Sequence, residues 1–457
     1  MQRLIRAVMN SAPKRVPIPA NGVDYRGKVV LAPMVRSGEL PSRLLALNYG
    51  ADLVWGPETI DRAMIGAVRR VNPRNGTIEF SRMPSNQVGK DDAKESVIYR
   101  IDPAREKGKL IYQMGTASPD LAVQAGKVVA ADVNGIDVNS GCPKPFSTSG
   151  GMGAALLRTP DKLVSILEAL VKEVGKPYQI GISVKIRLLE TPELTESLVS
   201  RLVQTGITGL TIHCRTTPMR PRERAIREQL RMIVSTCHAA GVACVMNGDV
   251  YSRDHALELM QEYGADGAMI ATAAESNSSC FRSEADGGLA PWPEVVHEYV
   301  KLCIESENRF GNTKYLLNIL IPGKEKEFQQ AKQSKCYADF CHFLRFEDLM
   351  PAARKADEQL NLASRSITGN GTAPVTTIDT NRSKAVQNAK ANNDTARAAG
   401  GGSKSKKNKP AANGVGPVRT NSIPTPVKAD EKPAAVNVDA SSIPGPAAAP
   451  QQDGVSV

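Results

Sequence analysis

The chain has 457 residues, 41% of them apolar and 23% charged, which is the composition of a globular protein larger than one average domain. It contains no run of about 18 apolar residues, so no transmembrane helix is predicted. The formal net charge of +11 favours an anionic partner.

The first segment, residues 1–26, is predicted to be a basic leader that precedes the folded body. The basic residues ahead of the first acidic residue, Asp24, are Arg3, Arg6, Lys14 and Arg15. Such a segment is either a disordered leader, which we favour, or an organelle-targeting sequence. We therefore expect a cytoplasmic or nuclear protein, with the mitochondrion as the alternative compartment.

Residues 27–288 alternate short apolar runs, rich in Val and Ile, with helical patterns. The runs are 28–31, 52–55, 109–113, 136–139, 182–186, 209–213, 242–247 and 267–270. Continuous apolar runs flanked by glycine are typical of parallel strands buried on both faces. Eight of them in about 250 residues predict an α/β protein, a (β/α)8 TIM barrel. The alternative, a doubly wound sheet, usually has a glycine fingerprint where this chain has Ala32-Pro33-Met34.

Polar residues stand at the carboxyl ends of five predicted strands. They are Gln113, Asn139, Lys185, His213 and Asn247. Barrel enzymes build their active sites at this end of the strands. A hydrogen-bonded structural role is the alternative for any one residue, but five residues in the same relative position favour a site.

The loop after the fourth predicted strand carries a cysteine, in Ser140-Gly141-Cys142-Pro143-Lys144. A cysteine beside Lys144 at a barrel mouth predicts an acid or a nucleophile, and the alternative is an inert buried thiol. The glycine-rich run that follows, residues 149–154, predicts either a phosphate-binding loop or a mobile loop before a helix.

The loops after the last two predicted strands carry small residues that suit a phosphate. They are Asn247-Gly248-Asp249 and Ala271-Thr272-Ala273. Small side chains let backbone amides approach an anion, as in other barrels of this kind. A phosphate site combined with Lys185 and Gln113 suits FMN. The lysine would stabilise negative charge on the reduced ring, and the glutamine would bond its pyrimidine edge.

Five motifs carry a resemblance to a known family. They are Ala32-Pro33-Met34-Val35-Arg36, residues 137–144, residues 150–157, Lys185-Ile186-Arg187 and Asn312-Thr313-Lys314-Tyr315. These motifs resemble the tRNA-dihydrouridine synthases, and most closely the eukaryotic subfamily that modifies position 20 of the D-loop. The resemblance covers about residues 27–360.

The resemblance implies that FMN, reduced by NADPH, passes a hydride to C6 of a tRNA uracil that has left its stack. Cys142 would protonate C5 as a general acid. The implied FMN contacts are Pro33, Met34, Val35, Gln113, Lys185, His213, Asn247, Gly248, Asp249, Ala271 and Thr272. The implied substrate contacts are Arg36, Asn139, Lys144 and Arg187. We expect a monomer whose partner is tRNA.

Two positions depart from the family's pattern at the phosphate. Thr272 stands where the family usually has Arg, which removes a guanidinium. Asp249 stands where a second glycine is common, and a carboxylate close to a phosphate is unfavourable unless it turns away. We therefore expect weaker retention of FMN.

Residues 289–362 are predicted to form a helical domain, and the resemblance implies that it binds tRNA. Its first helical face consists of Val295, Val296, Tyr299, Val300 and Cys303. The pair formed by Cys336 and Cys341-His342 lacks a second pair of ligands at zinc-finger spacing, so no metal is expected.

Residues 363–457 are predicted to form a disordered basic tail, because no Leu follows Leu362 and the last aromatic residue is Phe346. From Ser366 onward, eleven Lys or Arg face six Asp or Glu, a net charge of +5. A lysine cluster at 404–409 is either part of a solvated linker or a nucleic-acid-binding arm or nuclear signal. We expect the tail to add non-specific affinity for tRNA phosphates.

Two other functions remain open on the residues alone. One is an FMN barrel reductase of a small molecule, such as a dihydropyrimidine or enone reductase, and the other is a catalytically lapsed RNA-binding protein. The loop with Cys142 and the basic charge argue against the first. The presence of both Cys142 and Lys185 argues against the second.

Overall fold

The fold is that of a computed structural model, which describes residues 15–84 and 95–368. All of these residues belong to one compact unit of the chain, Met1–Pro374. The start of the predicted leader and the lysine cluster of the predicted tail lie outside the described residues.

Twelve strands occur in these described ranges. They are β1 Lys28–Leu31, β2 Leu53–Trp55, β3 Thr59–Ile60, β4 Val68–Val71, β5 Ile78–Arg82, β6 Ser96–Ile101, β7 Leu110–Gly115, β8 Gly135–Ser140, β9 Gly181–Leu188, β10 Gly209–Thr216, β11 Ala243–Asn247 and β12 Gly267–Ile270.

Strands β1, β2 and β7 to β12 form a closed parallel barrel. Closure depends on β2, which pairs with β1 on one side and with β7 on the other, where Val54 lies opposite Leu110. On the far side β1 pairs with β12, with Lys28 opposite Gly267. These strands coincide with the eight predicted apolar runs, and the predicted (β/α)8 barrel is confirmed.

Helices alternate with the strands of the barrel and continue after it. They are α1 Leu40–Asn48, α2 Asp61–Met64, α3 Pro119–Val129, α4 Pro145–Thr148, α5 Pro160–Leu170, α6 Lys176–Tyr178, α7 Pro192–Leu202, α8 Leu230–Ala240, α9 Arg253–Tyr263, α10 Thr272–Ser276, α11 Trp292–Glu305, α12 Phe310–Leu320, α13 Lys326–Gln333, α14 Tyr337–Leu344 and α15 Met350–Gln359.

Local sequence explains where several of these helices begin and end. The side chains of Ser118, Thr191 and Ser252 accept a backbone N–H in the first turns of α3, α7 and α9. Such caps satisfy an amide that has no partner within the helix. Helices α8 and α9 end at Gly241 and Gly264, whose φ angles of 80° and 73° are left-handed.

The amino-terminal end of the barrel is filled by a tyrosine. The ring of Tyr25 lies 5.8 Å from that of Trp55, and both belong to the apolar cluster inside the barrel. Gly209 makes room for it, since a Cβ there would come within 2.5 Å of the Tyr25 ring. The polar strand ends lie at the opposite end of the barrel.

Strands β4 to β6 form a three-stranded antiparallel sheet between β3 and β7, which the sequence analysis did not predict. Its buried side chains Phe80, Tyr99 and Ile101 join the core outside the barrel. Arg43 ties the sheet to α1, because its Nη2 donates to the Arg100 carbonyl of β6 at 2.7 Å. Its Nε also forms a buried ion pair with Glu106, in the loop after β6, at 2.6 Å from Oε1.

The helices after the barrel, α11 to α15, share a second apolar core. It includes Tyr299, Leu317 and Phe340, and it extends to Leu40 and Leu44 of α1. The helical region therefore packs on the barrel through the helix that follows β1. None of the helices within residues 15–84 and 95–368 is long and apolar enough to cross a bilayer.

Candidate active site

Two adjoining cavities lie at the carboxyl ends of the barrel strands. The first, of about 300 Å³, is lined by ten predicted site residues: Pro33, Met34, Val35, Gln113, Asn139, Cys142, Lys144, Lys185, Arg187 and His213. The second, of about 120 Å³, is lined by the other predicted cofactor residues: Asn247, Gly248, Asp249, Ala271 and Thr272. Arg187 and His213 line both cavities.

Arg36 is the predicted site residue that lines neither of these two cavities. Its backbone has a left-handed φ of 76°, and its guanidinium stacks on the Tyr315 ring at 4.1 Å from the ring centre. Tyr315 comes from α12 and lines the first cavity. The helical region thus supplies part of the wall of the first cavity through Tyr315, and Arg36 contacts that wall by stacking on the Tyr315 ring.

Lys185 is a buried cation at the centre of the site. Its Nζ donates to Asn247 Oδ1 at 3.0 Å, and Asn247 in turn donates to the Met269 carbonyl at 2.9 Å. Burial lowers the pKa of Lys185 to about 8, and the charge of Arg187 acts in the same direction. The amine is therefore close to the point where it gains or loses its proton near neutral pH.

Gln113 is fixed by a buried carboxyl group inside the barrel. Its Nε2 donates to Asp137 Oδ2 at 2.8 Å, and the Ser183 hydroxyl donates to Oδ1 at 2.7 Å. Burial raises the pKa of Asp137 to about 6, against these two hydrogen bonds and the charge of Lys185. The orientation of Gln113 toward the cavity thus depends on a residue that the sequence analysis did not assign to the site.

The Cys142 loop is held at the cavity by two polar side chains. Asn139 Oδ1 accepts the backbone N–H groups of Gly141 and Cys142 at 3.0 and 3.1 Å. Arg187 Nε donates to the Gly141 carbonyl at 2.7 Å, and its Nη1 donates to the Thr216 carbonyl. Two predicted substrate contacts therefore also determine the position of the cysteine.

The glycine-rich run after the cysteine packs against the cysteine loop. The Ala154 amide donates to the Cys142 carbonyl at 2.9 Å. Gly153 has a φ of 57°, and a Cβ at this position would lie 2.6 Å from the same carbonyl. Neither predicted role, a phosphate-binding loop or a mobile loop, describes this contact. The glycine instead permits the backbone to support Cys142.

The ionisation of Cys142 and His213 follows from their partial burial. Burial raises the pKa of the half-buried Cys142 thiol, so that it carries a proton at neutral pH. Burial, with the nearby charges of Lys185 and Arg187, lowers the pKa of His213 well below its usual value. The imidazole is therefore neutral, and its Nε2 lies 3.2 Å from Arg215 Nη1, which leaves the proton on Nδ1.

In the second cavity, both carboxylate oxygens of Asp249 are engaged by the protein. Its Oδ1 accepts from Arg215 at 2.5 Å and its Oδ2 accepts the Ala225 amide at 2.7 Å. Burial acts to raise the pKa of Asp249, but the Ala225 amide and Arg215 together hold it below its ordinary value. The adjacent loop carbonyls of Gly248 and Asp249 both accept from Arg227. An anion bound here would meet a neutralised pair instead of a free carboxylate.

Sequence reasoning missed four residues that the structure brings to these cavities. Glu58, Glu275 and Tyr315 line the first, and Arg215 lines the second. Glu58 was detectable, because it lies three residues after the end of β2, much as Cys142 lies two residues after the end of β8. Tyr315 lies in a quoted motif, but its place in the wall depends on packing between α12 and the barrel mouth.

Comparisons with known proteins show which family this chain resembles. Residues 30–315 match the family model described as Dihydrouridine synthase (Dus). The tRNA-dihydrouridine(20) synthase, NAD(P)+, of Schizosaccharomyces pombe is 51% identical over 322 residues, which are 69% of this chain and 64% of that protein. The protein of the same name from Saccharomyces cerevisiae is 46% identical over 320 residues, 68% of this chain and 82% of that protein.

A more distant relative, the tRNA-dihydrouridine(20a/20b) synthase, NAD(P)+, of S. pombe, is 28% identical over 263 residues, 58% of this chain and 70% of that protein. The chain thus spans a little under two-thirds of the length of its 51% identical relative. The family model covers more than half of the chain, including both cavities and Tyr315. On this evidence the chain belongs to the dihydrouridine synthase family.

Proposed function

We propose that this protein is an FMN-dependent tRNA-dihydrouridine synthase that reduces the C5–C6 bond of uridine 20 in the D-loop with NADPH. The observation that carries the proposal is that Cys142 and Lys185 line one cavity at the carboxyl ends of the barrel strands, together with Gln113 and His213. The names of the two most similar relatives given above support position 20 of tRNA as the substrate and a nicotinamide, printed as NAD(P)+, as the redox partner.

The two connected cavities fit the two parts of FMN. A flavin ring needs a wide site with a few fixed polar groups, and its phosphate needs a separate site rich in backbone amides. Gln113, Lys185 and His213 would contact the ring, together with the segment 33–35. Asn247, Gly248, Ala271 and Thr272 would hold the phosphate, while Arg215 neutralises Asp249.

When bound, the flavin supplies the hydride that reaches C6 of the uracil. The chain's own part is to complete the reduction on the opposite face, where the Cys142 S–H bond breaks and a C5–H bond forms. Lys185 would favour negative charge on the ring, since an anion beside it stabilises the ammonium form. Asn139, whose Oδ1 is engaged by loop amides, has its Nδ2 group to offer to the uracil.

The rim of the first cavity suits a strand of RNA. Lys144 is exposed there, and the Arg36–Tyr315 stack presents a planar cation beside an aromatic ring. Cations bind phosphates, and such planar groups stack on unpaired bases. These contacts support the proposal that the helical region takes part in tRNA binding. The contribution proposed for the tail concerns residues outside the described ranges.

Dihydrouridine mapping tests the proposed function. Cells that lack their own position-20 activity would receive either the wild-type chain or Cys142→Ala. We expect dihydrouridine at position 20 with the wild type and its loss in the variant, with both purified proteins retaining a flavin spectrum. Normal dihydrouridine with Cys142→Ala contradicts the proposal. Reduction of free uracil but not of tRNA would instead support a small-molecule reductase.

A further inference from the structure

Glu58 is a carboxyl group in the wall of the first cavity that the proposed chemistry has not used. It lies three residues after β2 ends and is partly buried. Its Oε1 accepts a hydrogen bond from the Ser147 hydroxyl at 2.9 Å. Its Oε2 is buried and has no hydrogen-bond partner among the described residues. A buried oxygen without a hydrogen-bond partner costs free energy in the folded protein, and such groups are rare.

The backbone around Glu58 is shaped to admit the carboxyl group. Gly115 ends β7 directly beside it, and a Cβ at this position would lie 2.6 Å from Glu58 Oε1. Ser147, its hydrogen-bond donor, belongs to the short helix α4 that follows the Cys142 loop. The carboxyl group is therefore held between β2, β7 and the segment that carries the cysteine.

Cys142 and Asn139 are the other polar side chains that interact with Glu58. Lys144 is a cation whose charge acts on both Glu58 and Cys142, and Lys185 and Arg187 also face the thiol. Burial raises the pKa of Glu58, although Ser147, Asn139, Cys142 and the charge of Lys144 all act to lower it. Glu58 and Cys142 line the same partly buried cavity, and two acids so placed resist being ionised together, so they titrate as a coupled pair.

The proposed reaction leaves Cys142 without a proton after every turnover. The resulting thiolate stands next to Glu58 while the bound nucleic acid covers the cavity mouth. We propose that Glu58 is a positioning residue that holds the Cys142 thiol and returns a proton to it after each turnover, a role that rests on the function proposed above.

In this step the Glu58 O–H bond breaks and the Cys142 S–H bond forms. Glu58 then regains a proton from solvent water once the product has left the cavity mouth. No electrons are transferred, and the proton taken up equals the one that C5 received.

The inference is tested by comparing the rate of a single turnover with the rate in steady state. Cys142 already carries its proton before the first reduction, so a single turnover does not require Glu58. With reduced full-chain enzyme in excess over unmodified tRNA, we expect Glu58→Gln to react within about 3-fold of the wild-type rate. In steady state with NADPH, we expect its rate to fall at least about 10-fold. Glu58→Asp should recover part of this loss.

Two further measurements separate proton return from a merely structural role. Added formate should accelerate steady-state turnover by Glu58→Ala, because a small acid can occupy the vacated space, and should leave the wild type unchanged. The pH midpoint for alkylation of Cys142 by iodoacetamide should fall in Glu58→Gln, since one neighbouring negative charge is removed. The other seven cysteines are buried, so the reagent reports on Cys142.

Glu168→Gln is the matched control, because it removes the same charge from the exposed face of α5. It should match the wild type in every assay. An equal loss by Glu58→Gln in the single-turnover and steady-state assays overturns the inference, as does no loss in either. If the wild type forms no dihydrouridine, the proposed function fails, whereas the alkylation midpoint still tests the coupling between Glu58 and Cys142.

Discussion

The two cavities at the barrel mouth differ in how they affect the ionisation of their charged groups. In the first, burial lowers the pKa of Lys185 and raises the pKa values of Glu58 and Cys142, so it favours the uncharged form of each group. In the second, Asp249 and Arg215 neutralise each other. The first arrangement suits a reaction and the second suits a fixed anion. The contrast implies that substitutions in the first cavity change rates, while those in the second change cofactor affinity.

The largest expected effect comes from the cysteine of the first cavity. Cys142→Ser keeps the size of the side chain but replaces the thiol with a much weaker acid. We expect dihydrouridine formation to fall by about 10²- to 10⁴-fold, the usual contribution of a general acid. Flavin content, measured from absorbance of the purified protein, should stay at the wild-type value. A parallel loss of flavin would show that substitutions in the first cavity also change cofactor affinity.

Lys185→Met tests the role of the lysine amine in the same cavity. Because the pKa of Lys185 is lowered to about 8, the charged amine is present below that pH and is lost above it. In the wild type, we expect flavin reduction by NADPH to slow as the pH rises through about 8. In Lys185→Met, we expect reduction to be about 10²-fold slower and the fall in rate near pH 8 to be absent. Stopped-flow absorbance across this pH range gives both results. A step that persists in Lys185→Met must belong to another group.

A double-mutant cycle tests the ion pair of the second cavity. Arg215→Met leaves Asp249 as an unpaired carboxylate beside the bound phosphate, so FMN affinity should fall by about 10- to 100-fold. Asp249→Asn should have a smaller effect, and the double variant should bind FMN better than Arg215→Met alone. Fluorescence titration of the apoprotein with FMN measures all four affinities. Additive effects would mean that the pair does not act as a unit.

The smallest expected effect concerns Thr272 at the edge of the second cavity. Thr272→Arg adds a guanidinium where the family usually carries one. We expect FMN to bind about 3- to 10-fold more tightly, as for a partly exposed charge-assisted contact. Thr272→Gln, which lengthens the side chain without a charge, is the control. Weaker binding in Thr272→Arg would show that Arg215 already supplies the charge the site can accommodate.

Most of the barrel could be predicted because its strands are buried on both faces and therefore appear as continuous apolar runs. Once the strands were predicted, the polar residues at their carboxyl ends, such as Gln113 and Lys185, could be assigned to the site. The short strands β4 to β6 contain no long buried run, because β4 is exposed throughout and polar or charged residues interrupt β5 and β6. Arg215 lies two residues beyond the predicted strand end, and its partner Asp249 is 34 residues away. That pairing arises from the neighbouring positions of β10 and β11, which sequence spacing does not encode.

The packing of α1 has a consequence for how this protein can be divided. Leu40, Leu44 and Leu45 are at most 1% exposed and belong to the core of the helical region, yet they follow β1 and the segment 33–35 that lines the first cavity. Uncovering such side chains costs about 1.5–3 kcal/mol each. An isolated barrel would therefore lose both stability and the Tyr315 side of its cavity. Exchange of the helical region between relatives would exchange part of the active-site wall as well.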